Sequence, residues 1–341
     1  MNTMTLNAQI VLATRPTGAA TLQNFQLREV PIGELKEGQV RVQHHYLSLD
    51  PYMRGRMNEG KSYASPQPLG EPMIGGTVGQ VVDSRHPQFS SGDWVVGMGG
   101  WQLFSTVDAN QAQALHKVDV RHISPSAYLG PVGMPGVTAW IGLNRIIEPQ
   151  PGQTVCVDAA SGAVGSVVGQ LAKAQGCRVV GLAGGADKCA YVKEELGFDE
   201  CLDYKTFQSA PELAQALKQA CPQGIDGHFE NVGGMILDAV MLRMNAFGRI
   251  AFCGMIAGYD GQPLPMSYPT LILVSRLKLQ GFIVSEHLEL WPQALKALGQ
   301  GVASGQIKYR ESVAQGLAQA PQAFLDMLRG GNFGKQLVKL V

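Results

Sequence analysis

Neither sign of charge is in excess in this chain: Lys plus Arg and Asp plus Glu number 27 each over 341 residues, so the formal charge is zero. That balance excludes electrostatic capture of nucleic acid or of an anionic membrane as its main task and leaves a small molecule as the expected partner. No apolar run is long enough to cross a bilayer, and the N-terminal stretch lacks the basic, apolar and small-residue segments of a secretory leader, so a cytoplasmic location is expected. The six cysteines, at 156, 177, 189, 201, 221 and 253, stand singly with no C-x-x-C spacing, which predicts reduced core thiols and no disulfide framework. Charged residues make up only 16% against 45% hydrophobic ones, which excludes a largely disordered chain.

What is plentiful is glycine, 42 residues falling in short clusters without a triplet period, a sign of tight turns and of backbone approaching a ligand. The length exceeds that of one ordinary hydrophobic core, so two domains are expected. From Asn7 to Val120 short apolar runs, Val40 to Val42, Val78 to Val82 and Trp94 to Gly97, are separated by Gly, Pro and Asp and read as an irregular antiparallel β domain. Near Ser126 the character changes to strand-like runs alternating with helical segments, the signature of βα units on a parallel sheet. Strands are predicted at 154–159, 178–183, 200–203, 227–230, 249–253 and 277–284, and helices at 163–175, 187–196, 211–220, 234–244 and 290–303. Two strand-like pieces, 306–311 and 336–341, form a tail expected to return to the first domain.

The informative stretch runs from Val155 to Gly169: a strand, a turn of small residues and a helix, with Ala160, Gly162 and Gly165 where a dinucleotide fingerprint has its glycines. Such a turn lets the amides of the helix start, Ala163 and Val164 among them, approach a pyrophosphate, while Gly165 and Gly169 let the helix lie close to the sheet. At the end of the next strand an NAD site wants a carboxylate for the ribose hydroxyls. Here the chain reads Gly181 to Lys188 with no acid at the strand end and a cation, Lys188, suited to a ribose phosphate; NADPH is therefore expected over NADH. Glu230-Asn231 and Cys253-Gly254 are further strand ends facing the same crevice, and Asn231 reads equally as a ribose-binding amide or as a turn former before Gly233.

The stretches Val132 to Trp140, Ala159 to Gly169, Tyr204 to Thr206, Asn231 to Gly234, Asn332 to Lys335 and Leu49 to Arg54 together resemble the zinc-independent medium-chain dehydrogenases/reductases, in particular the prostaglandin reductase, alkenal double-bond reductase and curcumin reductase branch. The resemblance covers nearly the whole chain. It implies an α/β protein, a doubly wound Rossmann sheet over 126–299 beside a GroES-like β-rich catalytic domain of 1–125 and 300–341, commonly a homodimer. It implies reduction of the carbon–carbon double bond of α,β-unsaturated ketones and aldehydes. By matching motif, Lys188 and Tyr204 bind the adenosine phosphate and Gly162 and Gly165 the pyrophosphate. Pro51, Met134, Thr138, Asn231, Cys253, Phe282, Val284 and Asn332 surround the rest of the NADP(H). Tyr52 lies where the family lines its substrate pocket, and Tyr259 matches a loop tyrosine that assists protonation. Gly185 stands where the family often has Ser, which removes one hydroxyl donor to the phosphate.

No zinc set is read: the cysteines all lie in the second region, residues 70–76 contain no His, and the seven histidines show no ligand spacing, with His44 and His45 reading as strand residues. Without a Lewis acid a simple carbonyl is a hard target, whereas hydride delivered to the β carbon of an enone leaves an enolate that hydrogen bonds can stabilise. Tyr259 and the ribose hydroxyl of the cofactor are the candidate donors, the alternative for Tyr259 being an ordinary exposed loop aromatic. Two other functions fit the same residues: reduction of quinones, also conjugated acceptors, and NADPH binding without turnover.

Overall fold

A computed structural model describes residues 6–111 and 114–341. The chain forms two units, one of Met1–Leu129, Glu311–Asn332 and Gln336–Val341, the other of Gly130–Arg310 and Phe333–Lys335.

The first unit begins with an antiparallel ribbon of β1 (Leu6–Leu12) and β2 (Phe25–Pro31). It continues through β3 (Gln39–Ser48), the short helix α1 (Tyr52–Arg56), β4 (Thr77–Ser84), β5 (Trp94–Gly97), β6 (Phe104–Asp108) and β7 (Leu115–Lys117). Alternate residues of β3 point inward, so Val40 and Val42 meet Val81 and Val95 in a small core. His44 follows the same alternation and is carried inside, 1% exposed, with a hydrogen-bond partner at neither ring nitrogen among the described residues. Burial, aided by His45, holds its pKa down at about 3, so the ring is neutral. The pair are strand residues, as the sequence indicated.

The second unit opens with α2 (Met134–Ile141), which runs on into a π-helical turn over Gly142–Ile147. Strands and helices then alternate: β8 (Thr154–Val157), α3 (Gly165–Ala174), β9 (Arg178–Ala183), α4 (Ala186–Glu194), β10 (Glu200–Asp203), α5 (Ala210–Ala220), β11 (Ile225–Glu230), α6 (Met235–Met241), β12 (Met244–Phe252), α7 (Thr270–Val274), β13 (Lys278–Gly281) and α8 (Trp291–Ala303). The six strands form one parallel sheet in the order β10-β9-β8-β11-β12-β13. Counted along the chain this is 3-2-1-4-5-6, the Rossmann order, in which the direction of winding reverses between β8 and β11. Both faces of the sheet are covered, one by a core including Val155, Val157, Val179 and Phe229, the other by one including Cys156, Val180, Leu182 and Ile250. That two-sided burial is why the central strands β8 and β9 read as continuous apolar runs.

The chain then supplies β14 (Glu311–Gln315), α9 (Ala320–Leu328) and β15 (Lys335–Lys339). β15 pairs antiparallel with β3, and the larger sheet of the first unit runs β14-β15-β3-β4-β5-β7, with β6 also on β3. The strand expected at 306–311 lies later, because Ile307 is spent on the end of α8, where its amide donates to Gly301 and its side chain packs on that glycine. Among the described residues no helix is long and apolar enough to cross a membrane.

Candidate functional site

A parallel sheet of this order leaves a crevice beyond the carboxyl ends of its strands at the winding reversal. Asp158 follows β8 and Asn231 follows β11, so both stand at that point; Gly184, Asp203, Cys253 and Phe282 follow or end the other strands.

After β8 the chain turns sharply: Ala159 adopts φ +43° and its carbonyl accepts from the Gly162 amide at 2.8 Å. This turn uses up the residues expected to open the helix, so α3 starts at Gly165 and not at Ala163. Gly165 lies so close to the turn that a methyl group there would sit 2.5 Å from the Ala159 carbonyl oxygen. The amides of Ala163 and Val164 have no acceptor among the described residues, and Gly162, Ala163 and Val164 are half-buried. Unpaired donors at the start of a helix make a seat for a diphosphate.

At the ends of β9 and β10 a second anion seat is formed. Lys188, in the first turn of α4, has its pKa lowered by burial and by the charge of Lys205, so two cations lie near one another. Gly184 is pressed between Lys205 and Tyr204: a methyl there would be 2.8 Å from the Lys205 side chain and 3.0 Å from the Tyr204 hydroxyl. Asp203 ties the two strand ends together by accepting from the amides of Gly185 and Lys205 at 2.9 and 3.1 Å. Like charges held close beside a phenol suit a phosphate monoester, which would relieve their repulsion. The residues thus fit the ribose phosphate of NADPH. Lys205 is a member of the cluster that the sequence reading passed over, although it sits inside the Tyr204–Thr206 motif.

The remaining predicted residues divide between the units. Met134 and Thr138 lie on α2, where the Thr138 hydroxyl donates to the Met134 carbonyl at 2.8 Å. Phe282 packs edge-on against Phe229, and the carbonyl of Val284 accepts from the Trp291 indole at 3.1 Å. The Cys253 thiol is pushed up to about 12 by burial and by the nearby acids Asp158 and Glu230, so it is no nucleophile at neutral pH. Tyr259 follows a single turn of 3-10 helix, Ile256–Gly258, with its hydroxyl 3.2 Å from where a β carbon on Gly254 would lie. Its loop is pinned by the amides of Ile256 and Ala257, which donate to the carbonyls of Asn231 and Val232, each at 3.1 Å. Pro51, Tyr52 and Asn332 belong to the first unit; burial, with Asp50 beside it, raises the pKa of the Tyr52 phenol.

A buried group unseen in the sequence lies at the reversal itself. Asp158, His228 and Glu230, all fully buried, bring one ligand-type atom each to within 4.8 Å of one another. Most of their lone pairs are engaged by protein donors. Asp158 Oδ1 accepts from the Asn231 amide at 2.7 Å and from Asn231 Nδ2 at 2.9 Å. Glu230 Oε1 accepts from the amides of Val232 and Gly233 at 2.7 and 2.6 Å, and its Oε2 lies 3.2 Å from His228 Nε2. Burial and the charge of Glu230 push the Asp158 carboxyl well above the usual range. Burial also acts to raise Glu230, but hydrogen bonds from His228, Asp158 and the Gly233 amide outweigh it and hold that group at about 2.

Two family models match the chain, one described as the N-terminal domain of oxidoreductase over residues 8–115, the other as zinc-binding dehydrogenase over 163–300. The chain belongs to the zinc-independent medium-chain dehydrogenases/reductases. Within that family it is 45% identical to the NADPH-dependent curcumin reductase of Escherichia coli, over 98% of this chain and 97% of the relative. It is 41% identical to the NADP(+)-dependent 2-alkenal reductase of Nicotiana tabacum, over 97% of each. The crystal structure of CurA in complex with NADPH from Vibrio vulnificus superposes with a TM-score of 0.91 at 44% identity, covering 98% of this chain and 99% of that one.

Proposed function

We propose that this family member reduces the carbon–carbon double bond of α,β-unsaturated ketones and aldehydes with NADPH, in the cytoplasm and as a homodimer. The observation that carries the reading is the Lys188, Lys205 and Tyr204 seat at the ends of β9 and β10, in a chain that aligns end to end with reductases named for NADPH and for alkenals or curcumin. Bound NADPH supplies the hydride, which is delivered to the β carbon of the acceptor. The protein's part is to hold and to stabilise. Ala163 and Val164 offer amides to the diphosphate, and Asn231, Cys253, Phe282, Val284, Met134 and Thr138 line the path of the cofactor toward its nicotinamide. Pro51 and Asn332 are assigned to the cofactor and Tyr52 to the substrate. Tyr259 donates a hydrogen bond to the enolate oxygen, its phenol proton passes to the enolate to give the saturated carbonyl product, and the phenolate regains a proton from solvent. No metal is assigned to the reaction.

Six free cysteines suit a reducing compartment. Among the described residues β13 ends the parallel sheet with one side unpaired, and Phe247, Leu273 and Val274 in the segments that lead into it are 69%, 80% and 65% exposed, a face that a second copy would cover. Leu273→Glu is expected to yield monomers by light scattering; an unchanged dimer would place the interface elsewhere. The activity is tested by following NADPH oxidation with short enals, long-chain enones, diarylheptanoid diketones and quinones, with product analysis. Saturated ketones or aldehydes support the reading. Hydroquinones as the main products, or no turnover with any acceptor despite tight NADPH binding, would overturn it.

A further inference from the structure

Asp158 and Glu230 meet at the winding reversal, and nothing in the reduction described above uses them. We infer that the two carboxyls share one proton, carried by Asp158 and donated to Glu230, and that with His228 they form a positioning device. It locks the Asn231–Gly233 turn so that Asn231 offers its amide oxygen, not its nitrogen, to the cofactor. The inference rests on the reading of this sheet edge as the NADPH site.

Hydrogen-bond bookkeeping places the proton. Glu230 is met by donors on both oxygens, the amides of Val232 and Gly233 at 2.7 and 2.6 Å on one and His228 Nε2 at 3.2 Å on the other. Asp158 is met unevenly. Its Oδ1 takes two N–H groups of Asn231 at 2.7 and 2.9 Å, whereas among the described residues its Oδ2 is met by one N–H donor, the Val232 amide at 3.1 Å, which lies nearer to Glu230. Two buried, touching carboxylates cannot both stay ionised, and the poorly solvated Oδ2 is the oxygen free to carry a hydrogen. His228 lies beside them, its Nδ1 3.1 Å from the Cys156 carbonyl and its Nε2 3.2 Å from Glu230 Oε2.

The consequence reaches the surface through Asn231. Its Nδ2 has an acceptor for each hydrogen, Asp158 Oδ1 at 2.9 Å and the Asp158 carbonyl at 3.2 Å, which fixes the amide with Oδ1 directed away from the cluster. Among the described residues that oxygen has no donor, and Asn231 is half-buried at the reversal, where a ribose hydroxyl can supply one. The same turn holds the loop of Tyr259 through the carbonyls of Asn231 and Val232. Asp158 and Glu230 are therefore positioning residues for both.

The two carboxyls must respond oppositely to an amide. Asp158→Asn keeps an acceptor for Asn231 and a donor for Glu230, whereas Glu230→Gln turns a donor toward groups that are themselves donors. With the full-length enzyme, Asp158→Ala and Glu230→Gln are each expected to raise the NADPH dissociation constant about tenfold, and Asp158→Asn to restore it to within about twofold of the parent. Hydrogen–deuterium exchange of the Val232 and Gly233 amides gives a readout that needs no cofactor: protection is expected to survive Asp158→Asn and to fall in Glu230→Gln. Equal damage from both amide variants, in exchange and in binding, would overturn the shared proton. If exchange follows the expected order while none of the variants, nor Lys188→Ala, alters NADPH affinity, the proton pair stands and it is the placing of the cofactor that fails.

Discussion

Consider lowering the pH on a chain that has buried a neutral imidazole at the centre of a strand. His44 holds a pKa of about 3 in the folded state against 6.5 when free. The sign follows from linkage: between those values the unfolded chain takes up a proton that the folded chain refuses, so stability falls as pH drops below 6.5 and the loss levels off near 3. At pH 7.5 the cost is close to zero; at pH 5 it is about 2 kcal/mol, and that figure scarcely changes wherever below 4 the folded value lies. For a unit of this size it corresponds to roughly 4–8 °C in melting temperature. His44→Leu removes the titration and the two unpartnered ring nitrogens in a side chain of similar volume, so at pH 7.5 it should alter stability by less than about 1.5 kcal/mol. The measurement is the difference between parent and variant in urea or thermal denaturation at pH 7.5 and at pH 5, which cancels the carboxylates common to both. The variant should gain about 2 kcal/mol relative to the parent on going to pH 5. A difference that is the same at both pH values would mean that the ring is protonated or solvated in the folded chain, and the burial argument would fall.

Three further outcomes follow from the cofactor edge. Lys188→Ala should weaken NADPH binding by roughly 10–100-fold, as for loss of one charged hydrogen bond, and leave NADH nearly unchanged; equal losses for the two carriers in a fluorescence titration would remove Lys188 from the phosphate seat. Gly165→Ala places a methyl 2.5 Å from the Ala159 carbonyl oxygen and should cost about 1–3 kcal/mol in unfolding free energy together with NADPH affinity; a variant that melts and binds like the parent would show that the turn can give way. Tyr259→Phe should lower kcat by roughly 10–100-fold with the NADPH dissociation constant unaltered; an unchanged kcat would mean that another group or a water delivers the proton.

How far the sequence revealed this architecture depended on whether a pattern was local. β9 lies where the apolar run put it because that run is a whole strand with five of its six residues buried, followed directly by Gly184. α2 escaped notice for the opposite reason. Seven of its eight residues are buried, so it has no polar face and shows no helical period, and only the Val132–Trp140 motif marked the region at all. The phosphate seat was half legible: Lys188 follows a strand end in plain view, but Lys205 reads as an ordinary exposed cation until β10 is laid beside β9 and Gly184 is found between it and Tyr204. Least legible was the group at the reversal. Asp158 and Glu230 are more than seventy residues apart, and each follows or ends an apolar run where an acid would be taken for a strand terminus facing water. Only the pairing of β8 with β11 puts them in contact, and that pairing is a property of strand order rather than of either strand's own sequence. A winding reversal thus concentrates the residues that single-segment reading is least able to join. The acids sit there because the same reversal opens the crevice for the cofactor, and a turn that must present one amide oxygen in one direction needs bracing from beneath by groups drawn from both strands.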